Sequence, residues 1–342
     1  MKKGNKKKIL LASCFIILFC LLGSLFSGLI IQENMFNKVK RPDFSITPGL
    51  VNYEEIDDKI DRIEYNFYSN DNKLKGYYYP CDNANALIVI SHGLNDGADS
   101  MLSEILFFNQ NDYSVFAYDY SGCFDSEGKL GGFYQSLIDL NNALQFINSL
   151  DELNDYKILL FGFSLGGYAS TSIFNLTSSN IYGSVSVSGF NDAKNIFFEN
   201  AKKKVGPLMY LGKPLCSSLI NNRYKDYLSC SAIKGINKTS TPLFIINSKK
   251  DEVISYKDSI VYLKDEVINP NVTYHIDESN THTSILYSKE AINYQNEVDS
   301  KLSKITNNKE KKSYIASVND ELYSQLNESL FNNILSFYNN CL

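Results

Sequence analysis

Hydrophobic positions along the chain fall into two periods that interleave. Short, continuously apolar runs stand at Ala86–Ile90, Val115–Tyr118, Ile158–Phe161 and Leu243–Ile246, the length and composition of strands buried on both faces. Ser184–Ser188 and Val272–Asp277 alternate instead and predict two more strands. Between them the period lengthens. Leu137, Leu140, Leu144, Ile147 and Leu150 keep helical spacing and predict a helix over Phe133–Leu150, with others over Ser100–Gln110 and from the end of the Ile158 run to about Asn175. Strands alternating with helices imply an α/β domain with a mostly parallel, doubly wound sheet. Ahead of it, Ile63–Tyr68 and Leu74–Pro80 flank the turn cluster Ser69–Asn72 and predict an antiparallel hairpin.

Two stretches break the alternation. From about 191 to 241 apolar and basic residues mix without a strand signal, and some fifty residues are too many for one connecting helix, so a helical cap inserted between two strands is expected. The charged, asparagine-containing run Lys301–Lys312 predicts a solvated loop or helix face. An amphipathic helix over roughly Glu321–Tyr338 closes the domain.

The N-terminus is of another kind. Residues 1–8 carry five lysines, and residues 9–31 carry no charge. Those 23 residues would reach about 34 Å as a helix, enough to cross a bilayer. A single-pass signal anchor is expected at 9–31, with cleavage and secretion as the alternative, since Leu25-Phe26-Ser27 is a poor cleavage site. The lysine excess before the run puts the N-terminus in the cytoplasm and the domain outside. Residues 32–61, polar and interrupted by Pro42 and Pro48, read as a linker, and the domain proper as 62–342.

Composition narrows the function. A net charge of −5 gives no reason to expect nucleic acid. Seven cysteines without a C-x-x-C pair, and three histidines, give no reason to expect a metal or another cofactor.

The chemistry concentrates where the Ile158 strand ends. Gly162-Phe163-Ser164-Leu165-Gly166 is a G-x-S-x-G turn from strand to helix, with Gly167 next. Such a turn holds a serine in strained backbone with its hydroxyl pushed out, and leaves no room for side chains two residues to either side. A serine hydroxyl needs a base, and the base an orienting carboxylate. Two histidines follow Ser164. His275 lies inside the alternating strand pattern, whereas His282 lies in the polar loop beyond it and is the expected base. Asp251, just after the Leu243 strand, is the expected acid, with Asp277 and Glu252 as rivals. Backbone donors for an oxyanion are expected from Leu165 and, in the Ser91-His92-Gly93-Leu94 loop, from Leu94. In that loop His92 and Gly93 read as shaping residues.

From about Ile63 onward the chain resembles the α/β-hydrolase superfamily. It is most similar to the bacterial branch described as serine aminopeptidase-like or monoacylglycerol-lipase-like. Ser91-His92-Gly93, Asp119–Gly122 with Ser126–Gly128, Gly162–Gly167, Asp251 and His282 carry the resemblance. It implies Ser164 as nucleophile, Asp251 as acid and His282 as base. Cys123 stands where many relatives carry histidine, and against them residues 295–319 look like an insertion before the last helix. The expected activity is hydrolysis of an acyl or lipid-like carboxylic ester by a membrane-anchored enzyme. A serine peptidase is the first alternative, and a non-catalytic binding protein on the same fold the second.

Overall fold

The computed structural model describes residues 3–36, 38–49, 53–56, 60–177 and 180–342. Eight strands form one sheet in the order β1-β2-β4-β3-β5-β6-β7-β8. They are β1 (Ile63–Ser69), β2 (Asn72–Tyr79), β3 (Leu87–Ser91), β4 (Ser114–Tyr118), β5 (Ile158–Phe163), β6 (Ile181–Val187), β7 (Leu243–Ser248) and β8 (Val272–Asp277). The first two pair antiparallel in the expected hairpin, β2 also runs antiparallel to β4, and the rest of the sheet is parallel. The hairpin turns within Asn70–Asp71, where Asn70 takes φ 52°, a left-handed value that asparagine tolerates better than most side chains.

Why the runs are continuously apolar is visible in β3. Leu87 and Val89 enter the core on one face, Ile88 and Ile90 the core on the other. Helix α3 (Tyr134–Ser149) covers the first face through Leu137, Leu140, Leu144 and Ile147, and α4 (Leu165–Ser172) joins it there. The second face is closed by α2 (Leu102–Asn109) and the C-terminal α11 (Glu328–Cys341), whose Phe331, Ile334 and Tyr338 meet Phe108 and Phe161. A helix of α11's mixed composition stays put because each turn buries an apolar side chain there, worth about 1.5–3 kcal/mol apiece. Asn327 caps it by accepting from the Leu330 N–H, as Asn307 and Asn319 cap the short helices before it.

The interruption between β6 and β7 is helical, as its mixed pattern implied: α5 (Ala193–Val205), α6 (Met209–Arg223) and α7 (Ala232–Ile236). The last of these returns to the body and packs on α4. The 295–319 stretch is helical too. It comprises the end of α8 (Lys289–Leu302) and α9 (Asn308–Ile315), and α10 (Asp320–Tyr323) follows.

Helix α1 runs Lys3–Phe36 and packs against α6. Among the described residues no helix is long and apolar enough to cross a membrane. Within α1 the side chains at 3–6, 9, 16, 27 and 29–36 lie outside the described set, and the anchor expected at 9–31 falls partly on them. The segment after α1 lies along the domain. Val39 pairs with Cys123, and the Arg41 guanidinium bridges Asp99 and Asp125 while covering Phe124.

Candidate active site

Strand β5 delivers Ser164 at its C-terminal end. All six strand residues are buried, and at Ser164 the chain turns with φ 54° and ψ −109° before α4 begins at Leu165. That backbone is strained for a residue with a Cβ, and it is held by its surroundings. The Ser164 N–H bonds the Val187 carbonyl at 2.8 Å. A Cβ at Gly166 would stand 1.9 Å from the Ser91 oxygen, and one at Gly162 2.1 Å from the Gly166 oxygen. Both positions are sealed against any side chain. Gly167 is nearly as tight, 2.8 Å from the Ser186 hydroxyl.

Two later strands supply the partners. Beyond β7, Asp251 accepts the Val253 and Ile254 N–H groups at one carboxylate oxygen, at 2.9 and 2.7 Å. Its other oxygen meets His282 Nδ1 at 2.7 Å. Beyond β8, His282 turns back over the sheet, and its Nε2 lies 2.8 Å from Ser164 Oγ. All three side chains are buried. With Nδ1–H directed at the carboxylate, Nε2 is the lone-pair nitrogen and Ser164 the donor to it. The loop holding the imidazole is pinned on its backbone as well. Glu252 accepts the His282 N–H at 3.0 Å, and Ser188 donates to the His282 carbonyl at 2.9 Å.

The rejected candidates have other places. His275 sits within β8, in register with Ile246. Asp277 folds the loop: its carboxylate accepts the Ser279 and Asn280 N–H groups at 2.8 and 2.6 Å. Burial opposes its charge, but these bonds, together with the Asn280 amide, hold it below the usual carboxylate range. The bond of Glu252 to the His282 backbone has no trace in the sequence, because nothing in the spacing says that residues thirty positions apart adjoin.

The loop after β3 faces the elbow. His92 is fully buried, its Nε2 accepts the Tyr120 N–H at 3.1 Å, and its Nδ1 lies 2.7 Å from the Gly93 oxygen. Because Nε2 accepts, the proton is on Nδ1 and donates to Gly93. Burial pushes this imidazole down to about 4, against the Gly93 bond, so it is neutral near pH 7. The Gly93 carbonyl shares a planar trans peptide with the Leu94 N–H, so pulling the oxygen toward His92 points that N–H the opposite way. Leu165 is the first residue of α4, where a helix leaves its N–H without an internal acceptor. Cys123 is buried beside Val39, and burial with nearby Asp119 pushes its thiol well up, far from thiolate chemistry.

With this geometry in hand, comparison with known proteins gives a consistent picture. The family model described as serine aminopeptidase, S33, matches residues 82–230, which include the His92 loop, the elbow and most of the cap. The uncharacterized protein YfhR of Escherichia coli K12 is 22% identical over 194 residues, 55% of this chain and 62% of its own. The chain thus spans somewhat under two thirds of the curated relatives it matches. The esterase Pf2001 of Pyrococcus furiosus superposes with a TM-score of 0.56 at 17% identity, covering 73% of this chain and 91% of that one. The α/β hydrolase GrgF of a Penicillium species gives 0.51 at 15%, covering 70% and 97%. These likenesses are of fold.

Proposed function

We propose, for a chain that belongs to the α/β-hydrolase superfamily, a serine hydrolase that cleaves carboxylic esters of acyl or lipid-like compounds through an acyl-enzyme. The observation that carries the reading is the buried chain of hydrogen bonds from Asp251 through His282 to Ser164, at 2.7 and 2.8 Å. His282 Nε2 takes the Ser164 proton as Oγ attacks the ester carbonyl. Asp251 holds the imidazole in the tautomer that can do so and stabilises the cation that forms. The Leu94 and Leu165 N–H groups receive the oxyanion. His282 then protonates the departing alcohol, and later takes a proton from the water that releases the acid. No metal or cofactor enters the scheme.

Membrane attachment is part of the proposal. It rests on the 23 uncharged residues at 9–31 and the five lysines before them, which together orient the domain outside the cytoplasmic face.

A serine aminopeptidase is the second reading, and a pair of carboxyls favours it. Asp96 lies beside Gly93, and its charge reaches the buried Glu104. Burial pushes them up to about 6 and about 7, a cost that an amino terminus seated beside them would relieve. The experiment is labelling with a fluorophosphonate, beside Ser164→Ala and His282→Ala, followed by parallel turnover of acyl esters and aminoacyl amides. Labelling of the parent at Ser164, lost in both variants, with esters turned over faster, is the expected result. Faster amide turnover favours the peptidase, and no labelling of folded protein overturns both.

A further inference from the structure

The large apolar side chains left exposed are concentrated on two helices that touch. On α1 they stand all round, among them Phe15 and Phe19 at 69% and 73% exposed, and on α6 Tyr210, Leu215 and Leu219 are exposed. Elsewhere such side chains occur singly, as they do on most soluble proteins. The two helices meet at small residues. Leu211 of α6 lies over Gly23 of α1, and Leu215 lies over Gly28. Leu211, Leu215 and Leu219 recur every fourth residue and form one stripe, the last of them beyond this contact.

Resting on the membrane-anchor reading above, we propose that the first turns of α6 are sunk into the outer leaflet beside α1, so that the cap draws its substrate from the bilayer. The argument is one of length. Only residues 9–22 of the uncharged run lie before the contact with α6, about 21 Å of helix. The hydrocarbon layer is about 30 Å thick. The remaining ~9 Å corresponds to residues 23–28 at 1.5 Å each, and these are the residues packed on Leu211 and Leu215. Crossing the bilayer in this pose therefore carries the start of α6 in with the anchor, to the depth of ~5–10 Å that amphipathic helices reach.

Lys213, two residues before Leu215 and so toward the outer edge of the sunken turns, is exposed, where a long basic side chain reaches lipid phosphates. Tyr210 stands next to Leu211, which packs on Gly23 at the deeper of the two contacts, so its exposed ring enters the acyl-chain region. The cap adjoins the catalytic loop, because Lys203 at the end of α5 donates to the Glu252 and Val253 carbonyls at 2.9 and 2.7 Å, next to Asp251.

The chain contains no tryptophan, so single substitutions report depth without background. Full-length Tyr210→Trp, Leu219→Trp, Leu18→Trp and Ile268→Trp proteins would be reconstituted in phosphatidylcholine–phosphatidylglycerol vesicles whose acyl chains carry bromine. The proposal expects quenching at 18 and 210, weaker quenching at 219, and none at 268, on the exposed approach to β8. Quenching at 18 with none at 210 or 219 overturns the proposal and leaves the anchor standing. Quenching at 210 without 18 keeps the docking surface and removes the anchor, and none at any position removes both. Tyr210→Asp should lower turnover of a vesicle-embedded acyl ester roughly tenfold or more, the share of one buried aromatic side chain. Hydrolysis of a water-soluble short-chain ester should be unchanged, and an equal fall in both assays would overturn the link to substrate.

Discussion

The ends of the parallel strands and the cap with its α1 helix solve opposite problems. At the strand ends every group of the proposed triad is out of water and held twice. The Asp251 carboxylate accepts two backbone N–H groups as well as His282, and the His282 ring and backbone are bonded separately. On α1, and at Tyr210, Leu215 and Leu219 of α6, large apolar side chains face outward uncovered. The first region is finished by the chain itself. The second is finished only by something else, and the difference separates where chemistry is set up from where the substrate is met.

The sharpest break in the comparison is at the strand ends. Ser164→Ala should lower ester turnover by about six orders of magnitude, as loss of a nucleophile does, and leave the melting temperature nearly unchanged. Turnover by that variant within tenfold of the parent would remove Ser164 from the chemistry. Gly166→Ala acts on the fold instead. Its Cβ would lie 1.9 Å from a backbone oxygen that cannot move without disrupting β3. A loss above roughly 4 kcal/mol, or no folded protein, is expected in chemical denaturation.

His92→Phe probes the loop that faces the elbow. A phenyl ring can keep the packing that the imidazole makes on Tyr120, 4.2 Å between centroids, but the donor to Gly93 is gone and the Leu94 N–H loses its orientation. A fall in kcat of about a hundredfold, the scale of one oxyanion donor, with KM nearly constant, would mark a positioning role. A drop in stability alone would leave His92 as packing.

How much of this was legible follows from how local each signal is. β5, the elbow and α4 are written in one continuous stretch, Ile158–Ser172, whose apolar run, glycines and serine each have a local cause. Asp251 and His282 were legible because each follows a strand. The fold constrains where acid and base can stand, and the polar loop of His282 distinguishes it from His275 in β8. Glu252 and the Arg41 clamp were not, since both depend on pairs far apart in sequence. The segment 32–61 reads as a linker by composition, yet Val39 and Arg41 fasten its first part to the loop after β4. Polar residues interrupted by prolines describe a segment without regular structure and say nothing of what it lies against. The cap was legible as helical and as a cap, but not its partner, because helix-to-helix contact between Leu211 and Gly23 leaves no local trace.

The smallest expected effect is a pH dependence near the same loop, and it tests whether the strand-end region is as fully satisfied as it looks. Glu104 is buried, and burial, with Asp96 adding to it, pushes its carboxyl from 4.5 up to about 7. A carboxyl with a raised folded-state value binds its proton more tightly in the native protein than in the unfolded chain. Its contribution is therefore fully present below about 4.5 and is lost as pH rises through about 7. Glu104→Gln keeps the shape and removes the titration. The melting temperature of the variant relative to the parent should climb between about pH 4.5 and 7, by the equivalent of about 3 kcal/mol at full effect. His92 works in the other sense over nearly the same range, since its folded value is depressed, so only the difference between parent and variant isolates the carboxyl. A flat difference would mean that Glu104 titrates in the native protein as it does in the unfolded chain. No burial cost would then remain for an amino terminus to relieve, and the ester reading would gain by it.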